Sequence, residues 1–127
     1  MGTVRYIVNN VEASLDFYTK HLGFEELENF GKPFASVKRG DLTLWLAGPE
    51  SSAARPMPDG RKPQPGGWNR LVIEVEDLAA LVAKLDAEGA VFRNETVKGP
   101  GGQQILLEDP SGNVVELFQS ARSQSFK

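Results

Sequence analysis

A chain of 127 residues with a net charge of −3 and no cysteine is long enough for one domain with a hydrophobic core. Disulfides, thiolate metal sites and a cysteine nucleophile are excluded. No apolar run approaches the ~20 residues that span a bilayer, no signal-peptide pattern opens the chain, and no basic stripe is present to attract a polyanion. The expectation is a cytoplasmic protein with neither membrane nor nucleic acid as a partner.

The first element is "VRYIVNN". Val4, Tyr6 and Val8 alternate with Thr3, Arg5 and Ile7, the period-2 pattern of a strand with two different faces. A helix follows: Asn9 with Glu12 resembles a capping box, Val11, Leu15, Tyr18 and Leu22 fall at helical spacing, and Gly23 ends it. Three strands are then expected in "FEELENF", "FASVKR" and "LTLWLA", separated by "GKP" and "GD". In the last of these, Leu42, Leu44 and Leu46 read as the row facing the helix. Thr43, Trp45 and Ala47 fall on the other side.

Residues 48 to 67, "GPESSAARPMPDGRKPQPGG", hold five of the eight prolines. Such a stretch cannot continue a helix or join a sheet interior, so it is expected to be a long exposed connection. A linker is the plain reading. As a lid it would bring Arg55, Arg61 and Lys62 toward an anionic ligand.

From residue 68 the same order begins again. "WNRLVIEV" alternates, Asp77 is placed to cap a helix with Leu78, Leu81, Val82 and Leu85 on its apolar side, and Gly89 closes it. "VFRNETV", "QQILLE" and "NVVELFQ" supply three more strands, with turns at "KGPGG" and "DPSG". "GPGGQQ" precedes a strand and lacks the Lys-Ser/Thr of a phosphate loop, so it reads as a hairpin turn. The halves are structural repeats, and aligning Asn10 with Asp77 gives an offset of 67 that sets Thr3 opposite Arg70.

The repeat, with "VEASLDFYTKHLGFE" in one half and "LLEDPSGNVVELFQ" closing the other, resembles the vicinal oxygen chelate superfamily of glyoxalase I, bleomycin-resistance proteins, extradiol dioxygenases and fosfomycin-resistance enzymes. The resemblance covers residues 2 to 119. It implies an α+β fold of two tandem β-α-β-β-β modules, forming a curved mixed-sheet half-barrel pair around a cleft. The organisation expected is a single domain over residues 1–127: module one at 1–47, linker at 48–67, module two at 68–119 and a tail at 120–127.

In metal-dependent members, the resemblance implies, ligands come from the first and last strands of each module. Those positions map here onto Thr3, Trp45, Arg70 and Glu116, with Val114, Glu116 and Phe118 as the last-strand row. Transition metals want converging imidazoles or carboxylates, which tryptophan and arginine cannot supply, and a guanidinium repels a cation. No metal and no cofactor are therefore expected. His21, the single histidine, lies near the end of the first helix, where it cannot reach the cavity as a base.

Glu116 facing Arg70 has two readings: an ion pair that satisfies a buried charge, or part of a ligand clamp. In the second, Arg5 and Arg70 offer forked donors to an anion, Trp45, Trp68 and Phe118 offer flat apolar walls, and Thr3 completes the set. Three functions remain open. The first is a metal-free binding protein that sequesters an aromatic or anionic small molecule, as a homodimer. The second is a glyoxalase- or dioxygenase-like lyase, isomerase or oxygenase with Glu116 as base and Arg70 stabilising an oxyanion. The third is a structural or regulatory module without a ligand.

Overall fold

A computed structural model describes residues 2–121. The fold is α+β; the described residues form two α-helices, a short 3-10 turn at Ser52–Ala54 and two open mixed sheets. The chain forms two compact units. Of the described residues, one unit runs through Gly66 and takes in Pro110–Asn113; the other comprises Gly67–Asp109 and Val114–Ala121.

In the first unit, β1 (Gly2–Ile7), α1 (Val11–His21), β2 (Glu25–Asn29), β3 (Phe34–Arg39) and β4 (Leu42–Ala47) follow one another. The sheet order is β1-β4-β3-β2, with β1 parallel to β4 and the other pairs antiparallel. The parallel pair requires a crossover, which α1 provides. Asn10, rather than the expected Asn9, caps α1: its Oδ1 accepts from the Ala13 backbone N–H at 2.9 Å. Asn9 is engaged elsewhere, its backbone N–H donating to Ser111 Oγ at 2.8 Å.

The expected apolar stripe, Val11, Leu15, Tyr18 and Leu22, is buried, and α1 packs on β3 and β4. Leu44 and Leu46 lie beneath it with Val37 and Ala35, their ladder partners. Tyr18 closes this core with an edge-on contact to Phe24 at 5.4 Å. Leu42, at the strand end, is only half-buried. Ala47, assigned from alternation to the open side, is fully buried instead, because Ile7 and Phe34 flank it in the ladder.

The proline-rich connection is largely exposed but fastened at both ends. Gly48 is buried, and a Cβ there would stand 2.3 Å from the Lys32 carbonyl oxygen, so only glycine fits. At the far end the Gly66 backbone N–H donates to Asn113 Oδ1 at 2.8 Å. Arg61, within this connection, is held locally by Asp59 at 2.8 Å.

The second unit repeats the order with one change. β5 (Arg70–Glu74), α2 (Leu78–Ala87), β6 (Val91–Phe92), β7 (Val97–Gly99), β8 (Gly102–Glu108) and β9 (Val114–Ser120) form a sheet ordered β5-β9-β8-β6, with β7 also on β8. Asp77 caps α2 through Ala80 N–H at 3.0 Å. Leu78 and Leu85 are fully buried, whereas Leu81 and Val82 are half-buried.

Two segments depart from the strand pattern. "VFRNETV" is not one strand, because the Asn94 side chain takes the Leu106 N–H at 2.9 Å, a place a backbone carbonyl would fill, and the chain leaves the ladder. Trp68 precedes β5 rather than belonging to it, so strand parity does not set its direction.

Candidate functional site: two arginine and aromatic faces

Residues paired directly across a ladder share one face of a sheet. In the first unit the face opposite α1 carries Thr3 opposite Thr43, Arg5 opposite Trp45, and Ser36 opposite Trp45. Arg5 places its guanidinium 4.9 Å from the centroid of the Trp45 ring, a cation–π contact worth about 0.5 to 1 kcal/mol where exposed. Phe34 meets the same indole edge-on at 5.7 Å, and Phe30 lies 6.2 Å from Phe34. The result is a row from Arg5 through Trp45 and Phe34 to Phe30, whose outer end is 64% exposed.

Thr3 and Arg5 are exposed and Trp45 is half-buried. Alternation placed these three residues on this face. The same alternation in "FASVKR" sets Phe34 on the side of Ser36.

In the second unit the face opposite α2 is set by Gln119. Its Oε1 accepts the Leu78 N–H at 2.7 Å, so Val115, Leu117 and Gln119 face the helix. Val114, Glu116 and Phe118 face away. Val114 is fully buried in this row, flanked by Arg70 and Glu108, and Phe118 is half-buried.

Glu116 pairs across the ladder with Val72, while Arg70, two residues earlier on the same face, reaches over to it. Arg70 Nε lies 3.0 Å from Glu116 Oε1, with side-chain exposures of 29% and 10%. A carboxylate that buried would be costly alone, and the guanidinium offsets most of that cost.

A second pair stands on this face. Arg93 Nε donates to Glu108 Oε2 at 2.6 Å, and Nη1 donates to the Gly67 carbonyl at 2.8 Å. The Arg93 guanidinium also lies 4.5 Å from the centroid of the Trp68 ring. Trp68 is thus an exposed indole backed by an anchored cation. The sequence pattern does not mark Arg93, because "VFRNETV" reads as an unbroken strand.

The donor set does not fit a divalent metal. Among the described residues no three or more His, Cys, Asp or Glu side chains form a group able to hold one. Of the four mapped positions, Thr3, Trp45 and Arg70 are poor or repulsive partners for a cation. The remaining one, Glu116, is engaged by the guanidinium.

The sequence model of the Glyoxalase/Bleomycin resistance protein/Dioxygenase superfamily matches residues 1–117. The chain belongs to this superfamily. Among solved superfamily structures, a member from Sphaerobacter thermophilus superposes with a TM-score of 0.75 at 28% identity, covering 94% of this chain and 96% of that one. An antibiotic-binding protein from a Streptomyces species gives 0.71 at 27% identity, over 94% and 93%. A lactoylglutathione lyase from Agrobacterium tumefaciens gives 0.74 at 20% identity, over 94% and 92%, a likeness of fold alone. No curated protein matches the chain. Among the described residues of this superfamily member, no helix is long and apolar enough to cross a membrane.

Proposed function

We propose that this superfamily member is a metal-independent small-molecule binding protein that sequesters an aromatic or anionic ligand, in the cytoplasm and as a homodimer. The observation that carries the reading is the Arg70–Glu116 pair, with 3.0 Å between Nε and Oε1. Where metal-dependent relatives place a ligand, this chain commits its one suitable carboxylate to a guanidinium. A bound cation would have to displace that partner and then sit beside a permanent positive charge. The same engagement counts against Glu116 as a catalytic base.

The row of Arg5, Trp45 and Phe34 supports the second half of the reading. Forked N–H donors suit a carboxylate, and indole and phenyl faces suit a flat ring. The proposed ligand contacts are Thr3, Arg5, Trp45, Trp68, Arg70, Glu116 and Phe118. The Streptomyces relative at 27% identity, an antibiotic-binding protein, is consistent with this role.

The test has two parts. Elemental analysis of protein purified from cells is expected to find no stoichiometric zinc, nickel, iron or manganese. A panel of aromatic carboxylates and flat cationic drugs is expected to yield compounds that raise the melting temperature and perturb indole fluorescence. One tightly held ion per chain would overturn the metal-free reading, and a panel without any response would overturn the binding reading.

A further inference from the structure

We infer that Trp68 is a pre-set stacking platform for a planar aromatic ligand and that Arg93 is the residue that positions it; this rests on the small-molecule reading above. Trp68 is 67% exposed, unusual for the side chain with the largest apolar area, and yet it is not loose. Arg93 covers one face of the indole at 4.5 Å. Arg93 is itself fixed by Glu108 Oε2 at 2.6 Å and by the Gly67 carbonyl, next to Trp68 in the chain, at 2.8 Å.

The Trp68 backbone is held too, its carbonyl accepting from Arg70 Nη1 at 3.5 Å. Ring, backbone and backing cation are therefore restrained together, and one indole face is left outward. Binding on a ring that is already ordered avoids the conformational cost that a mobile surface side chain would incur.

The charges define the ligand class. Arg93 is matched by Glu108 and Arg70 by Glu116, so each guanidinium beside the platform already has a carboxylate partner. The guanidinium behind the ring opposes a cation on the outer face. A neutral or anionic planar aromatic compound is the fitting occupant, with stacking as the main attraction.

The full chain, labelled with nitrogen-15, is titrated with 2-naphthoate while the indole N–H resonances of its two tryptophans are followed, assigned with Trp45→Phe and Trp68→Phe. The Trp68 resonance is expected to move saturably, and Trp68→Ala, at an exposed position that tolerates truncation, is expected to weaken the affinity about ten-fold. Arg93→Ala is expected to weaken it about three-fold or more and Arg93→Lys to restore part of the loss, because the lysine keeps a cation near the ring. In the Trp45→Phe background, Arg93→Ala is also expected to lower the fluorescence anisotropy of Trp68, a readout of ring mobility that general destabilisation below the melting point would not move.

Movement of the Trp45 resonance alone overturns the platform and leaves the small-molecule reading standing. Movement of neither, with the wider panel also silent, overturns both. Unchanged affinity and anisotropy in Arg93→Ala overturn the positioning role.

Discussion

Asn113 Nδ2 donates to the Ile7 carbonyl at 2.8 Å, across 106 residues of sequence. The same side chain accepts the Gly66 N–H through Oδ1 at 2.8 Å, so a single amide fastens the end of β1 and the end of the proline-rich connection to the turn before β9. The asparagine of "DPSGN" is 4% exposed and uses a donor and an acceptor at once, which neither aspartate nor leucine can reproduce.

Asn113→Ala leaves a backbone carbonyl and a backbone N–H without their partner. The expected loss is about 2 to 3 kcal/mol of unfolding free energy, given ~1 to 3 kcal/mol for a buried polar group left unsatisfied. Urea denaturation checks it. An unchanged midpoint would mean that water replaces the amide at both positions.

Glu116→Ala tests the ion pair. The loss of ~3 to 5 kcal/mol typical of breaking a fully buried pair is an upper bound, because the Arg70 side chain is 29% exposed and the abandoned guanidinium recovers part of its hydration. About 1 to 3 kcal/mol is expected. Replacing both residues with apolar side chains of similar volume should recover much of it. An unchanged midpoint in the single variant would show that the pair contributes nothing net.

Gly48→Ala tests the close approach at the start of the connection. The added methyl would stand 2.3 Å from the Lys32 carbonyl oxygen and 2.8 Å from Val11 Cγ2, and the first of these is backbone that cannot rotate away. A destabilisation of about 2 kcal/mol or more is expected, as for overpacking in a tight interior. Thermal melting reads it directly.

Trp45→Ala removes the centre of the row formed by Arg5, Trp45 and Phe34. Once a ligand is in hand, titration should show binding weakened by about 1 to 3 kcal/mol, the value of one large buried apolar contact. Arg70→Lys should be more selective, weakening anionic ligands more than neutral ones, because an ammonium cannot make the forked contact. Equal affinity for the parent and Trp45→Ala would remove this face from the binding site.

Local pattern determined much of the chain by itself. Period-2 alternation set β3 and β4 to the residue and put Thr3, Arg5 and Trp45 on the face away from α1, because successive strand side chains point to opposite sides. The stripe of Val11, Leu15, Tyr18 and Leu22 set α1 for the equivalent helical reason. The departures lie in single polar side chains: the cap is Asn10, whose Oδ1 takes the Ala13 N–H, and "VFRNETV" breaks because Asn94 supplies a side-chain oxygen to Leu106.

Only the tertiary structure decided which polar groups meet. Gly66 and Asn113 are 47 positions apart, Arg70 and Glu116 are 46, and Arg93 lies 26 from Gly67. Alternation assigns a residue to a side of its sheet but carries no distance along that side. The pairing of Arg70 with Glu116 was therefore legible as a possibility, through the repeat offset. The backing of Trp68 by Arg93 was not, since both residues stand outside regular strands, where the chain follows hydrogen bonds made by distant side chains rather than a period of its own.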